Sequence, residues 1–286
     1  MLALDLVKLT PLMERTTGKR EILIGLIDGP VAISHPDFAG QTIMEIPAAS
    51  SGVCSRASSV ACMHGTLVAG ELCARRGSRA PAICPGCTLL VRPIFGEAAA
   101  GNGDMPSATA DELTAAIIDT VNAGAHVINL SAALLQPSSS GERKLEEALN
   151  YAAGHGVITV AAAGNQGTVG SSAITRHPWV IPVAACDSQG RPISETNLGS
   201  SIGRRGLSAP GEGVTSLGTN GQWKAFGGTS AAAPFVTGAV ALLWSEFPNA
   251  PATQIKFAVT QARSRRRYTI VPPLLDAWAA YRAVAN

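Results

Sequence analysis

The chain has 286 residues, 46% of them hydrophobic and 15% charged. That is enough apolar material for one sizeable core, in one large α/β domain or two small ones. The net charge of +2 excludes a partner recognised by bulk charge, and no apolar stretch is long enough to span a membrane.

No Pro/Gly/Ser-rich linker divides the chain, so the expectation is a single domain over residues 1–286, with 1–19 as an N-terminal helical extension. Glycines are plentiful (30) and aromatics few (5%), which suits tight βα turns and close helix–sheet packing. The one basic run, Arg263-Ser264-Arg265-Arg266-Arg267, has no interleaved aromatics and reads as a solvated helix end or loop, so no nucleic-acid partner is expected. Asp5 and Lys8 interrupt the apolar N-terminus, which is not a secretory signal. The expectation is a soluble cytoplasmic protein with no membrane partner. Its six cysteines, Cys54, Cys62, Cys73, Cys84, Cys87 and Cys186, are then expected as reduced thiols. Cys84-Pro-Gly-Cys87 is a lone CxxC. It is open to three readings: inert thiols, a local disulfide, or half of a zinc site for which Cys54, Cys62 and Cys73 are poorly spaced.

In chain order, residues near 2–16 read as helical. Glu21-Ile-Leu-Ile-Gly-Leu-Ile27 is a nearly continuous apolar run ending at Asp28-Gly29-Pro30, the pattern of a buried parallel strand with a carboxylate at its carboxyl end. His64 to Ala74 reads as a helix and Thr88 to Phe95 as a strand. Ala110 to Ala123 has helical spacing closed by Gly124. Val127–Leu130 is a strand, Lys144–Ala153 a helix, and Val157–Ala163 and Trp179–Ala185 are strands. Thr229 to Glu246 is a long apolar helix. The alternation predicts an α/β fold, a three-layer, doubly wound, mostly parallel sheet with helices on both faces. Sites in such folds lie beyond the carboxyl ends of the strands. Asp28, the segment from Ser131 and Asn165 all fall there.

Four motifs carry candidate chemistry. Ile27-Asp28-Gly29-Pro30 places a partly desolvated carboxylate where it can accept a hydrogen bond from a histidine and fix its tautomer. His64-Gly65-Thr66-Leu67-Val68-Ala69-Gly70 presents a histidine at the expected start of a helix that small residues allow close to the sheet. Ala163-Gly164-Asn165 puts an amide N–H donor at a strand end, where it can face a developing oxyanion. Phe226-Gly227-Gly228-Thr229-Ser230-Ala231-Ala232-Ala233-Pro234 turns the chain tightly into a helix. Ser230 then lies in the first turn, where unsatisfied N–H groups favour negative charge. Taken singly, each has an ordinary structural reading: a turn-forming Asp, a packed His, an Asn beside Gly, a Ser/Thr cap.

Together, in this order, they resemble the subtilisin-like serine proteases, the subtilases. The likeness covers roughly residues 20–260 and includes Val127-Ile-Asn-Leu-Ser131 and Leu207-Ser-Ala-Pro-Gly211. It implies a triad of Asp28, His64 and Ser230, with Asn165 and the Ser230 N–H as the oxyanion hole. It also implies an extended peptide or protein substrate held between two backbone segments, here about Gly101–Met105 (with Gly101 and Gly103) and Ser131–Leu134 (with Ser131, Ala132 and Ala133), with Gly164 nearby. Ala133 stands where the family usually has Gly, so a narrowed pocket and restricted specificity are expected. Glu97 and Asp104 are carboxylates that could favour basic substrate residues or be simply solvated. Ala231 and Phe235 replace the family's usual Met and His, and neither position is catalytic. No propeptide-like segment is seen before residue 20 and no acidic calcium loop is evident, so the expectation is either maturation without a propeptide or a sequence trimmed of one, with no metal and no cofactor.

Finer segments, Asp28-Gly-Pro-Val31 with Ser34-His35-Pro36, Val91-Arg-Pro-Ile-Phe95 and Val121–Asn129, resemble the protease domains of the cyanobactin-maturation group. That group processes ribosomal peptide precursors. One branch cleaves a leader; another cyclises the acyl group and carries a helical insertion near the catalytic His. The interval from Asp28 to His64 looks loop-like, which favours cleavage. The remaining alternatives are a macrocyclase, a general degradative subtilase and a silent peptide-binding module.

Overall fold

The fully apolar runs become strands because both faces of each are covered. The computed structural model describes residues 3–48, 51–97, 108–131, 143–261 and 269–286. The strands are β1 (Leu23–Asp28), β2 (Thr42–Glu45), β3 (Thr88–Pro93), β4 (Val127–Leu130), β5 (Ile158–Ala162), β6 (Ile181–Cys186) and β7 (Leu207–Pro210). They form a seven-stranded sheet in the order β2-β3-β1-β4-β5-β6-β7. Every pairing in it is parallel. A separate antiparallel hairpin joins β8 (Val214–Leu217) to β9 (Trp223–Phe226).

The helices are α1 (Ala3–Leu6), α2 (Thr10–Arg15), α3 (Val60–Cys73), α4 (Ala110–Asn122), α5 (Arg143–Gly154), α6 (Ala173–Arg176), α7 (Ser200–Arg205), α8 (Thr229–Glu246), α9 (Ala252–Gln261) and α10 (Ala277–Ala285). The period-two alternation of strand side chains splits the core in two. Ile24, Leu26, Leu89, Val91, Val127 and Val160 pack with α3 and α8 on one face. Ile27, Leu90, Ile128, Leu130 and Ala161 pack with α4 and α5 on the other. The expected three-layer parallel architecture is therefore the observed one. α4 starts with a capping box, Thr109 with Glu112, which satisfies two end donors reciprocally. α8 is buried along nearly its whole length, which is why its sequence reads as apolar all round rather than as a stripe. Among the described residues no helix is long and apolar enough to cross a membrane.

Three expectations are corrected. α3 begins at Val60, with the Ser59 side chain accepting from the Cys62 N–H (3.3 Å). His64 thus lies in the second turn, not at the helix start. The interval between Asp28 and His64 is not all loop, since it contributes the edge strand β2, a 3-10 turn at Pro36–Phe38 and the first turn of α3. The cysteines are not all reduced: Cys54 and Cys62 form a disulfide, their Cα atoms 5.5 Å apart. That separation is within the range a disulfide spans without backbone movement. Loop 51–58 is brought back onto α3 by the Val31 N–H bonding to Gly52 O and the Cys54 N–H bonding to Val31 O. Cys84 and Cys87 are free and buried, as are Cys73 and Cys186. A hydrogen bond between Cys84 and Cys87, then burial, pushes the Cys84 thiol well up, and that bond lowers Cys87.

One residue in α3 conflicts with its surroundings. Glu71 is fully buried, and neither carboxyl oxygen meets a hydrogen-bond partner among the described residues. Burial alone pushes its pKa well above the ordinary carboxylate value. A group whose folded pKa exceeds its unfolded one contributes fully below the unfolded value, near 4.5, and the contribution is lost as pH rises through the folded value. Removing an unsatisfied buried polar group recovers roughly 1–3 kcal/mol. Glu71→Met is therefore expected to raise the melting temperature at pH 8 more than at pH 5. Thermal unfolding across that range checks it, and an equal or lower melting temperature for the variant at pH 8 would contradict it.

Candidate active site

Asp28 is the last residue of β1 and is fully buried. Its Oδ1 accepts the Gly29 N–H (2.6 Å) and lies 2.6 Å from His64 Nδ1. A carboxylate held by a backbone donor at a strand end has little freedom, so the imidazole is oriented by a fixed group. The meeting of β1 and α3 depends on two glycines. A Cβ on Gly29 would stand 2.0 Å from Ala61 O, and one on Gly65 2.3 Å from Gly29 O. The Asp-Gly and His-Gly pairs of the motifs are the two sides of one close backbone approach. Thr66 completes it: its hydroxyl accepts the Ala32 N–H (2.9 Å) and donates to Cys62 O (2.7 Å).

Burial, the largest influence on His64, disfavours its charged form. The Asp28 charge and hydrogen bond together outweigh burial, so its pKa lies above the ordinary 6.5. Phe226, at the end of β9, meets the imidazole edge-to-face, with centroids 6.5 Å apart at 83°.

Ser230 lies in the first turn of α8 and is 7% exposed. Its hydroxyl donates to Ser131 O (3.3 Å) rather than to His64. Ser131 follows β4 and is tied to α8 by buried polar links. Its hydroxyl accepts from Asn129 Nδ2 (2.9 Å), and Asn129 Oδ1 accepts from the Thr237 hydroxyl (2.8 Å). Pro234, four residues after Ser230, has no N–H to return to the Ser230 carbonyl, so the motif's proline opens the first turn.

Asn165 follows β5 and caps α8 from outside the helix. Its Oδ1 accepts both the Thr229 N–H (2.8 Å) and the Thr229 hydroxyl (3.0 Å). The backbone donor requires an acceptor, so Nδ2 is the atom left to face the space beside Ser230. The Thr229 hydroxyl also accepts the Gly164 N–H (3.1 Å). Gly164 O accepts the Asn197 N–H, so both peptide groups of Gly164 are used in shaping this turn. Gly228 has φ +85°, and a Cβ there would stand 2.7 Å from Asn165 Nδ2. The glycine before Thr229 therefore serves both the turn and the asparagine.

Asp28 with His64 thus lies beyond the carboxyl end of β1, Ser230 with Ser131 beyond that of β4, and Asn165, bonded to Thr229, beyond that of β5, and these three strands are neighbours in the sheet. Gly101, Gly103, Asp104, Ala132 and Ala133 lie outside the described residues. Thr229, Asn129 and Thr237 were not singled out from the sequence, although the first two stand inside motifs that were. Glu97 is neither a free carboxylate nor simply solvated, because it accepts from the Ser55 N–H and hydroxyl and from the Arg56 N–H. Burial tends to raise its pKa, but these bonds prevail and lower it. Among the described residues one group of ligand-type atoms is close enough to hold a metal ion: Cys54, Cys62 and Glu97. There the two sulfurs are joined to each other and the carboxylate is occupied by the loop.

The sequence matches the Subtilase family over residues 19–272. The chain belongs to the subtilase family. It is 34% identical over 277 residues to fervidolysin of Fervidobacterium pennivorans, a match covering 86% of this chain and 37% of that protein. The chain thus spans little more than a third of fervidolysin. Among solved structures, a point mutant of the protease domain of PatA superposes with a TM-score of 0.85 at 30% identity, over 94% of this chain and 96% of the other. The prenylagaramide maturation protease PagA gives 0.83 at 27%, over 97% and 99%. Both lie in the cyanobactin-maturation group that the finer motifs resemble.

The Asp28–His64 geometry makes a titration measurable without substrate. His64 in the native protein is expected to titrate above 6.5 by NMR, and Asp28→Asn to bring it down, since the charge and its bond are what raise it. An unchanged His64 pKa in Asp28→Asn would contradict the assignment of cause.

Proposed function

We propose that this subtilase is a serine endopeptidase acting on extended peptide segments, with Asp28, His64 and Ser230 as the catalytic triad. The observation that carries the reading is the 2.6 Å contact between a buried, strand-terminal Asp28 and His64, opposite a helix N-terminus that offers both Ser230 and an oriented Asn165 amide. The Ser230 hydroxyl turns from Ser131 O toward His64, which removes its proton as the oxygen attacks the scissile carbonyl. Asp28 stabilises the imidazolium without taking the proton. Asn165 Nδ2 and the Ser230 N–H receive the oxyanion. His64 returns the proton to the leaving amine, which departs with its part of the peptide. Water then adds to the acyl-enzyme, with His64 as base, and releases the acid and free Ser230.

The likeness to PatA and PagA supports a narrower substrate class, ribosomally made precursor peptides cut at a defined bond. Hydrolysis is favoured over ring closure because, among the described residues, the interval between Asp28 and His64 holds one 3-10 turn, a short strand and the first turn of α3, with no additional helix that would form a cap. His64 must be neutral to act as base, so kcat/KM is expected to rise with pH through an apparent pKa above 6.5.

Incubation of a precursor-peptide series, followed by product mass, tests the reading. The expected products are two linear fragments whose summed mass exceeds the substrate's by one water. A ring lacking that water would make the enzyme a cyclase, and no product from any peptide would leave a binding module. In the same assay Asn165→Ala is expected to lower kcat by about 10²–10³ with a smaller effect on KM, the loss known for the equivalent donor in subtilisin. An unchanged kcat would remove Asn165 from the oxyanion hole.

A further inference from the structure

The turn that carries Asn165 has little core to hold it. Residues 165–168 are all exposed, and Gly164 and Gly167 take positive φ, 104° and 61°. An exposed turn with two such glycines has other conformations within reach. Thr229 bonds Asn165 from the side of α8. A second constraint must keep the rest of the turn in the one conformation that brings Oδ1 to Thr229 and leaves Nδ2 as the donor.

Asn197, in the connection between β6 and β7, supplies that constraint. Its backbone N–H donates to Gly164 O (2.8 Å). Its Nδ2 donates to Ala163 O (3.2 Å) and to Gln166 Oε1 (2.6 Å). Its Oδ1 accepts the Gln166 N–H (3.0 Å), the Thr168 N–H (3.1 Å) and the Thr168 hydroxyl (3.1 Å). The partners therefore lie on both sides of Asn165 and span the whole turn. Two backbone donors need an acceptor and a carbonyl needs a donor, so the side chain must be an amide in this orientation. Asn197 is itself anchored. The buried Thr196 beside it accepts the Ala185 N–H of β6 (3.0 Å), and on its other side the Leu198 N–H donates to Thr168 O (3.0 Å). The turn is thus fastened to the sheet through Asn197 and to the helix through Thr229.

We infer that Asn197 is a positioning residue of the oxyanion hole, setting the direction of the Asn165 amide through the turn between them. The inference rests on the peptidase reading and names a residue on which that same site depends. An oxyanion donor acts on charge that develops only in the transition state, so its misplacement lowers kcat and changes KM little. Asn197→Ala is expected to lower kcat roughly ten- to a hundred-fold, the effect of a displacement of about 1 Å at a reacting centre.

The test is a double-mutant cycle on kcat with Asn165→Ala, joined to the NMR order parameter of the Asn165 side-chain amide without substrate. Asn197→Ala is expected to show its full loss while Asn165 is present and almost none in the Asn165→Ala background. The Asn165 amide is expected to lose order in Asn197→Ala. Asn197→Asp keeps the acceptor and loses the donor, so it is expected to fall between native and Asn197→Ala, and it serves the cycle if the alanine variant does not fold. An equal loss of kcat in both backgrounds would make Asn197 merely structural and overturn the inference. Cleavage at native kcat, with an equally ordered Asn165 amide, overturns it and leaves the peptidase reading intact. An Asn165 amide that loosens in Asn197→Ala, in a protein whose native form cleaves no peptide, upholds the positioning and overturns the peptidase reading.

Discussion

The site depends on how closely α3 can lie against the end of β1. Asp28 is buried and fixed by the backbone of Gly29. His64 reaches it only because neither Gly29 nor Gly65 carries a side chain that would push the helix away. Almost any Cβ at either position would separate the carboxylate from the imidazole while leaving both residues in the sequence. The disulfide between Cys54 and Cys62 and the Thr66 hydroxyl hold the same turn from the outer side. Rigid elements thus position the pair, which is how a site keeps sub-ångström geometry without depending on loop order.

The second half of the site follows a similar rule. Asn165 does two jobs with one amide. Its oxygen caps α8 through Thr229, and that use leaves its nitrogen, beside Gly228, as the donor. Ser131 is coupled to the same helix through Asn129 and Thr237. The buried polar network beneath Ser230 therefore fixes the relative position of β4, β5 and α8. A buried network of this kind is stable only when its members are satisfied, and most are. Glu71, in the same helix as His64, lies outside that network and, like Asp28 Oδ2, is buried without a partner among the described residues; its burial leaves a pH-dependent weakness in α3.

Much of this was legible in the sequence, for a physical reason. Strands covered on both faces must be apolar throughout, so β1, β4, β5 and β6 appear as runs. The four motifs mark places where backbone geometry tolerates few residues. What was not legible falls where those constraints relax. β2 and the β8–β9 hairpin are partly exposed, so their residues carry no apolar run. The start of α3 was missed because the Ser59 cap is separated from His64 by a turn of ordinary residues. The disulfide depends on a loop folding back through Val31 and Gly52, which cysteine spacing does not encode. Thr229 and Asn129 were in view as letters of motifs, but their roles are relations between distant elements. Glu71 left a signal in the sequence, an acid inside Val-Ala-Gly-Glu-Leu-Cys, whose meaning depended on knowing that this face of the helix is closed.

The central claim is that α3, β1 and α8 together make Ser230 a nucleophile. Intact mass after exposure to a fluorophosphonate tests it most directly, on the native protein and on Ser230→Ala. A single adduct on the native protein, lost in the variant, is the predicted result. Folded native protein that takes up no adduct, or a variant that is labelled as readily, would contradict the account.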